Sequence, residues 1–322
     1  MNKGVFLDFA TISPRDLDLC ALKESVSEWT FFDTTELAEI EARVEDAEVL
    51  VTNKVPIDEY TLQKTPKLKL IVVAATGYEH IDLEACRRQG IRVCNVKNYS
   101  TASVVQHTFA LIFALNTGLI KYHQRVVRGA WQNSLLFCLT DFPIHDVEGK
   151  TLGVIGYGSI GRAIATAASS FGMEVIVAQR SGTSGASDSK VTRLDLSTLL
   201  ERSDIVSLHC PKTSETLNII DAHALSLMKK DALLINTARG GLINERDLAQ
   251  ALKERSIGGA GIDVLSTEPP EENNPLLAEP LPNLIITPHI AWASNSSRQR
   301  LVNRIAEIIK NFSSLDDLDF IV

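Results

Sequence analysis

The sequence predicts an α/β protein built from two doubly wound parallel sheets. Short apolar runs rich in Val, Ile and Leu alternate with longer segments of helical periodicity, the pattern of parallel strands joined by crossover helices. This alternation occurs in two series, and a long helical pattern at 100–129 lies between them. A chain of 322 residues is long enough for two such domains.

The first series occupies the first third of the chain. Its predicted strands are GVFLDF, AEVLVTN, LKLIVVAAT and IRVCNV. The segments between them that have helical periodicity are DLDLCALKES, TELAEIEARV and HIDLEACRRQG.

The second series has the strand-like runs TLGVIGYG, MEVIVAQ, DIVSLHC, DALLINTA, GGAGIDV and NLIITPH. Their nearly continuous apolar character favours strands that are buried on both faces. An amphipathic segment, SNSSRQRLVNRIAEIIKNF, follows the last of them. The pattern allows the chain to leave the first domain near residue 99 and to return near residue 291, but periodicity alone does not establish that crossover.

Composition excludes several classes of function. The net charge of −8, without any Lys/Arg-rich tract, argues against nucleic-acid binding. We expect no membrane span, because no run of 18 apolar residues occurs, and the acid and proline near the start argue against a secretory signal. The five cysteines are scattered and form no C-x-x-C pair, so we expect reduced cysteines and a cytoplasmic location.

A glycine-rich turn in the second series indicates a dinucleotide site. Gly156, Gly158 and Gly161 form G-x-G-x-x-G between an apolar strand and a helix, and another strand follows. Gly156 permits the tight turn, Gly158 leaves room for a pyrophosphate, and Gly161 lets the helix pack close to the strand. The helix N-terminus then presents its N–H groups and positive dipole end to the phosphates.

The strand after this helix ends in Gln179 and Arg180, where an acid that binds the adenosine ribose is usual. Gln179 can hydrogen-bond to ribose hydroxyls without repelling a 2′-phosphate. Arg180 either pairs with that phosphate or is a solvated surface cation. We therefore predict NAD binding with relaxed discrimination against NADP.

Three polar residues follow apolar strands in the second series, where α/β proteins bind ligands: Arg239, Glu268 and His289. Each alone could be structural. Together they suit hydride transfer to a 2-keto acid, because Arg can hold the carboxylate and polarise the carbonyl, and His can protonate the alkoxide that forms. Glu beside the imidazole would fix its tautomer. No H-E-x-x-H motif or clustered ligand set appears, so we expect no metal.

Seven segments together resemble the D-isomer-specific 2-hydroxyacid dehydrogenase family, over essentially the whole chain. They are AATGYEHID, NYSTASVVQHTFAL, the glycine loop, HCP, LLINTARGGLINE, GAGIDVLSTEP and NLIITPHIAW. The resemblance implies a flavodoxin-like substrate domain at 1–99 plus 291–322, a Rossmann NAD(P)-binding domain at 100–290, and an active-site cleft between them. It also implies a homodimer that uses the long helical segment and the arm near Trp131.

The resemblance also assigns roles to individual residues. Arg239 would bind the substrate carboxylate and carbonyl, His289 would be the acid/base and Glu268 its partner. Asp263 would hydrogen-bond to the nicotinamide carboxamide. Backbone or contact roles are implied for Ser159 and Ile160 (pyrophosphate), Cys210 and Pro211 (adenine), Ala238 (nicotinamide), and Thr76 and Gly77 (substrate carboxylate).

Within the family, the stretch from WQNSLLFC to GYGSIG is most similar to the glycerate dehydrogenases, which are also called hydroxypyruvate reductases. We therefore expect reduction of hydroxypyruvate to D-glycerate and of glyoxylate to glycolate. Two alternatives stay open: a broader 2-ketoacid reductase that acts on glyoxylate or pyruvate, and a dinucleotide-sensing binding protein, since transcriptional co-repressors share this fold.

Overall fold

The chain divides into two compact units. The computed structural model describes residues 1–12, 14–179, 191–314 and 320–322. The terminal unit comprises Met1–Ser100 and Ala293–Val322, and the central unit comprises Thr101–Trp292. These limits lie one or two residues from the predicted domain boundaries. The functional role of each unit stays a prediction.

The terminal unit contains a five-stranded sheet in which every strand pair is parallel. Its strands are β1 (Lys3–Phe6), β2 (Glu28–Phe31), β3 (Val49–Thr52), β4 (Leu70–Val73) and β5 (Arg92–Asn95). Its first four helices are α1 (Cys20–Lys23), α2 (Ile40–Val44), α3 (Glu59–Gln63) and α4 (Leu83–Gln89). The order β2-β1-β3-β4-β5 is the flavodoxin-like arrangement.

The central unit contains a seven-stranded parallel sheet. Its strands are β6 (Thr151–Ile155), β7 (Glu174–Ala178), β8 (Thr192–Leu194), β9 (Ile205–Leu208), β10 (Leu233–Asn236), β11 (Gly259–Ile262) and β12 (Leu284–Ile286). Its helices are α5 (Thr101–Asn116), α6 (Leu119–Val127), α7 (Ser159–Ser170), α8 (Leu196–Arg202), α9 (Ala222–Leu227) and α10 (Glu245–Glu254). The order β12-β11-β10-β9-β6-β7-β8 is that of a Rossmann sheet with a seventh strand at one edge.

The chain then returns to the terminal unit in α11 (Asn295–Lys310). Ser294 caps this helix by accepting a hydrogen bond from the Ser297 N–H. Short 3-10 turns complete the described secondary structure at Phe9–Ile12, Pro14–Asp16, Leu37–Glu39 and Phe312–Ser314.

The central sheet is buried on both faces, which explains its continuous apolar runs. In β10, Leu234 belongs to the core cluster on one face, whereas Leu233 and Ile235 belong to the cluster on the other. Both faces are therefore covered, as the sequence predicts for crossover-linked parallel strands.

Two details differ from the sequence pattern. The helical pattern at 100–129 forms two helices that meet at a bend of 62°, because Gly118 takes a left-handed conformation with φ of +62° between them. The strands β2 and β8 were not predicted. Both lie at sheet edges and expose part of their side chains, so neither produces an apolar run.

Candidate active site

The site-forming loops of the central unit lie at the carboxyl ends of its strands. Strand β6 pairs with β7 on one side and with β9 on the other, so the strand order reverses at β6. Crevices at such a reversal are where open α/β sheets bind ligands. The predicted cofactor and catalytic residues of this unit follow β6, β7, β9, β10, β11 and β12, and so they share this edge.

The glycine loop has the close contacts that its sequence requires. Gly156 has φ of +98°, and a Cβ there would lie 2.5 Å from the backbone nitrogen of Cys210. A Cβ on Gly161 would lie 2.1 Å from the carbonyl oxygen of Gly156, so only glycine lets α7 approach the loop this closely. These two glycines fix the shape of the turn.

Gly158 differs from its two neighbours, because a Cβ there would meet nothing within 4 Å. It is the N-cap residue of α7, and Ser159 and Ile160 begin that 12-residue helix. An open N-terminus that follows a tightly packed turn is suited to a pyrophosphate, which N–H groups and the helix dipole stabilise. The chain's own residues therefore fit a dinucleotide, although the contacts of Gly158, Ser159 and Ile160 with it stay predictions.

Strand β7 ends at the position that is expected to face the adenosine ribose. Gln179 is exposed, and its backbone N–H donates to the carbonyl of Leu194 at 2.7 Å, which extends the pairing of β7 with β8. Arg180, the other residue of this prediction, lies outside the described residues.

The loop after β9 carries His209, Cys210 and Pro211. The His209 Nε2 atom lies 2.8 Å from the hydroxyl of Ser207. Burial of the imidazole lowers the pKa of His209 to about 3, although part of the residue surface reaches solvent. Burial also raises the pKa of the Cys210 thiol. Both side chains are therefore neutral near pH 7, and the backbone of His209 and Cys210 lies against Gly156 of the glycine loop. Contact of Cys210 and Pro211 with adenine stays a prediction.

Arg239 lies on a turn that the side chain of Asn236 stabilises. The Asn236 amide oxygen accepts from the N–H of Ala238 at 3.0 Å, and its Nδ2 donates to the carbonyl of Arg239 at 2.9 Å. The guanidinium NH1 donates to the Ala238 carbonyl at 2.8 Å. Asn236 is buried at the end of β10, so the turn that presents Arg239 is anchored in the sheet.

Gly240 joins the Arg239 turn to the loop that carries Glu268. A Cβ on Gly240 would lie 1.7 Å from the carbonyl oxygen of Leu265, closer than any side chain could fit. The N–H of Leu265 in turn donates to Glu268 Oε1 at 2.9 Å. The loops after β10 and β11 are therefore in direct contact.

His289 and Glu268 form the pair that the sequence predicts. The Nδ1 atom of His289 lies 2.5 Å from Glu268 Oε2. Their side chains are 29% and 33% exposed, so the pair is partly shielded yet accessible to a small ligand. His289 has φ of +55°, which is uncommon for a residue other than glycine and often marks functional sites.

Asp263 stabilises the turn that carries His289 through several hydrogen bonds. Its carboxylate accepts from the N–H groups of Ile290 at 2.9 Å and of Ala291 at 2.8 Å, and from the Thr287 hydroxyl at 2.5 Å. Its backbone carbonyl accepts from the N–H of His289 at 2.8 Å. The family resemblance assigns Asp263 to the nicotinamide carboxamide. That contact stays a prediction, whereas this positioning role was not foreseen.

Thr76 and Gly77 belong to the terminal unit and follow the carboxyl end of β4. The Thr76 hydroxyl donates to the carbonyl of Val96 at 3.0 Å, and Asn95 Nδ2 donates to the Thr76 carbonyl at 2.5 Å. These two bonds tie the turn to the chain just after β5. Binding of a carboxylate by Thr76 and Gly77 stays a prediction.

Sequence reasoning missed the polar residues of α5 that contact the catalytic loops. Ser103, His107 and Thr108 bond to residues near His289 and Arg239. A signal was present, because Ser103 and His107 are polar and lie four residues apart in the predicted helix, so they share one face.

Among the residues that the structure describes, no group of three or more His, Cys, Asp or Glu side chains is arranged to hold a metal ion. Over the same residues, no single helix is long and apolar enough to cross a membrane. The pair α5 and α6 passes that test only when its two helices are taken together across their 62° bend.

Similarity to known proteins shows which family the chain belongs to. Residues 109–291 match the model of the D-isomer specific 2-hydroxyacid dehydrogenase, NAD binding domain. The chain is 44% identical to the glycerate dehydrogenase of Methylorubrum extorquens over 290 residues, which cover 90% of this chain and 88% of that one. The chain belongs to the D-isomer specific 2-hydroxyacid dehydrogenase family.

Further members of this family match over similar lengths. The hydroxypyruvate reductase of Blautia hydrogenotrophica is 37% identical, over 96% of this chain and 97% of that one. The D-lactate dehydrogenase of Aquifex aeolicus, solved with NAD and lactic acid, superposes with a TM-score of 0.83 at 30% identity and covers 100% of this chain and 99% of that one. The predicted family, the two parallel-sheet domains and the NAD(P)-dependent oxidoreductase class are confirmed.

Proposed function

We propose that this 2-hydroxyacid dehydrogenase reduces hydroxypyruvate to D-glycerate, with His289 as the acid/base, Glu268 as its partner and Arg239 as the substrate-binding cation. The observation that carries the proposal is the His289–Glu268 pair, in which Glu268 lies on a loop in contact with the turn that presents Arg239. This set supplies a proton donor and an anion-binding cation within one continuous group of loops.

Each residue of the chain has a distinct task in the proposed reaction. Arg239 binds the carboxylate of the keto acid and polarises the neighbouring carbonyl through its planar guanidinium. His289 donates a proton to the oxygen that becomes the alcohol, and Glu268 on Nδ1 orients the ring so that Nε2 faces the substrate. Bound NADH or NADPH supplies the hydride.

The choice of substrate has the support of two relatives. The proteins of Methylorubrum extorquens and Blautia hydrogenotrophica are named glycerate dehydrogenase and hydroxypyruvate reductase, and both match over most of the chain. The alternative is a broader reductase of 2-keto acids such as glyoxylate and pyruvate. Arg239 and His289 act on the carboxylate and carbonyl that all three acids share. The two hypotheses therefore differ in which third substituent of the carbonyl carbon the site prefers: the hydroxymethyl group of hydroxypyruvate, the methyl group of pyruvate or the hydrogen of glyoxylate.

We assign substrate binding also to the terminal unit, which corresponds to the predicted domain 1–99 plus 291–322. In this assignment the backbone N–H groups of Thr76 and Gly77 bind the substrate carboxylate. The bonds from Thr76 to Val96 and from Asn95 to Thr76 support it, because they give the turn a fixed shape. The central unit, predicted as 100–290, binds the cofactor.

The test is steady-state kinetics with hydroxypyruvate, glyoxylate and pyruvate, each with NADH and with NADPH. The highest kcat/KM is expected for hydroxypyruvate. Arg239→Ala should lower kcat/KM by roughly 100- to 1000-fold, a loss typical of removing a group that stabilises developing charge. Arg246→Ala, an exposed arginine on α10, is the matched control and should leave kcat/KM unchanged. Wild-type protein that reduces none of the acids, or an Arg239→Ala variant of full activity, would reject the proposal.

The same proposal includes a homodimer. Large apolar side chains are exposed along α6 and the arm that follows it: Leu119, Val127, Trp131, Leu135, Leu136 and Phe137. Leu135 and Phe137 are almost fully exposed, although the Trp131 indole N–H donates to the Phe137 carbonyl at 3.0 Å and gives the arm a defined turn. A group of large exposed apolar side chains marks a protein contact, and a second copy is the partner we assign.

Light scattering after size-exclusion chromatography tests the dimer. The wild type should have the mass of two chains. Leu135→Asp with Phe137→Asp should give one chain, because the charges would have to be buried. Leu37→Asp, on an exposed leucine of the terminal unit, should remain dimeric. A monomeric wild type would reject the dimer and leave the enzymatic proposal intact. A cytoplasmic location stays a prediction from the scattered cysteines.

A further inference from the structure

Helix α5 contacts the His289 turn on both sides of the histidine. The Ser103 hydroxyl donates to the carbonyl of Ala291 at 2.7 Å, and His107 Nε2 lies 2.9 Å from the hydroxyl of Thr287. Ser103 and His107 are one helical turn apart and so lie on the same face of α5. The turn that presents His289 is therefore held from this helix at residues 287 and 291.

The hydrogen bond between His107 and Thr287 is linked through the Thr287 hydroxyl to the buried carboxylate of Asp263. The Thr287 hydroxyl donates its single proton to Asp263 Oδ1 at 2.5 Å. Toward His107 it can then only accept, so His107 Nε2 must carry a proton. His107 Nε2 is itself 3.5 Å from Asp263 Oδ1. The three groups form a directed chain of donors that ends on a carboxylate with no solvent exposure.

This chain determines the position of the catalytic loop. Asp263 holds the amides of Ile290 and Ala291, which follow His289 directly, and His289 has a left-handed φ that surrounding contacts must maintain. A buried carboxylate without enough donors is costly, and bonds in such a chain strengthen one another. Loss of the His107 donor therefore weakens the support of the whole turn.

We propose that His107 is a positioning residue for His289, which acts through Thr287 and Asp263 and touches neither the substrate nor the cofactor. This inference rests on the proposed function in naming His289 as the acid/base. It adds a residue of α5, outside the predicted catalytic set, on which the geometry of proton transfer depends. The neighbouring Thr108 hydroxyl lies 3.0 Å from that of Thr237, so the same helix also contacts the strand end that leads to Arg239.

Two substitutions separate positioning from packing. His107→Leu replaces the imidazole with an apolar side chain of similar size and so removes the donor. His107→Gln keeps an N–H donor near the position of Nε2. His107→Leu should lower kcat by roughly 10- to 100-fold, the effect of a small misplacement of a reacting group, with the KM for NADH unchanged. His107→Gln should restore most of kcat. His223→Leu, on the exposed face of α9, is the matched control and should behave as wild type.

Amide hydrogen exchange supplies a readout that does not depend on activity. In His107→Leu, the amides of Thr287, His289, Ile290 and Ala291 should exchange roughly 2- to 10-fold faster, the contribution of one hydrogen bond. The peptide of the glycine loop should be unaffected, and His107→Gln should restore the slow exchange. If wild-type protein reduces no keto acid, the exchange result still tests the positioning. Wild-type exchange in His107→Leu, equal acceleration in the glycine loop, or no rescue by His107→Gln would overturn the inference.

Discussion

The imidazole of His289 and the carboxylate of Glu268 are joined by a contact of 2.5 Å between Nδ1 and Oε2. The other oxygen of Glu268 accepts the N–H of Leu265, so the carboxylate is fixed to the backbone of its own loop. Because the pair uses Nδ1, the opposite ring nitrogen is the one available for proton transfer. The proposed acid/base is therefore oriented by a group that itself has little freedom.

Glu268→Gln should reduce activity without unfolding the protein. The amide has nearly the shape of the carboxylate, but it lacks the charge that stabilises a protonated imidazole. We expect kcat for keto-acid reduction to fall by about 100-fold, the lower end of what a positioned acid/base contributes. Thermal unfolding should be unchanged, since the pair is partly exposed. Glu271→Gln, three residues further along the same loop, is the control, and equal activity of the two variants would contradict the role of Glu268.

Two alanine substitutions in the glycine loop should have opposite consequences. Gly161→Ala places a Cβ 2.1 Å from the Gly156 carbonyl, and overpacking of this kind costs about 1–3 kcal/mol of stability. Gly158→Ala meets no protein atom within 4 Å, so the fold should keep its stability while NADH binding weakens. Thermal unfolding and NADH titration measure the two effects. Unweakened NADH binding in Gly158→Ala would show that the pyrophosphate lies elsewhere.

Much of this site could be predicted because parallel strands end at one edge. The strands before Arg239 and Glu268 are fully buried, and the strand before His289 is a partly buried edge strand that still forms an apolar run. These apolar runs identify the strands, and the shared carboxyl edge of the sheet brings their loops together. The contact between Gly240 and Leu265 could not be foreseen, since it depends on a tertiary approach between two loops. The residues around one loop do not indicate which other loop it will contact in the folded protein.

The role of α5 was missed for a related reason. His107 lies 180 residues from Thr287 in the chain, and a lone histidine in a helix with a buried face is most simply interpreted as a core residue. Only the fold places it against the His289 turn. The edge strand β8 was missed for the opposite reason. It exposes its side chains and so lacks the apolar run that marks a strand.

Protonation of His209 should make the protein less stable in mild acid. Its folded-state pKa of about 3 lies below the ordinary value of 6.5, so the neutral ring contributes stability above pH 6.5 that is lost as the pH falls towards 3. The expected slope is about 1.4 kcal/mol per pH unit in this range. His209→Gln lacks this dependence, so the wild type should lose more in Tm than the variant between pH 6.5 and pH 4.5.

The protonation of His80 does not affect the comparison between the wild type and His209→Gln. Burial lowers its pKa to about 4, but it is present in both proteins, and its contribution cancels in their difference. His223→Gln, at an exposed position, should follow the wild type at every pH. Parallel curves for wild type and His209→Gln would mean that the imidazole of His209 is protonated without cost in the folded protein.

Gln179→Glu should shift cofactor preference towards NAD. Gln179 is exposed at the end of β7, where a carboxylate would accept hydrogen bonds from the ribose hydroxyls of NAD and repel the 2′-phosphate of NADP. Two like charges about 4 Å apart repel by roughly 1 kcal/mol or more, so the NADPH/NADH ratio of kcat/KM should fall by about fivefold or more. The repulsion should weaken as salt is added, because the site is open to solvent. Gln89→Glu adds the same charge at the end of α4 and should leave the ratio unchanged. A ratio that does not move in Gln179→Glu would show that this strand end does not discriminate between the cofactors.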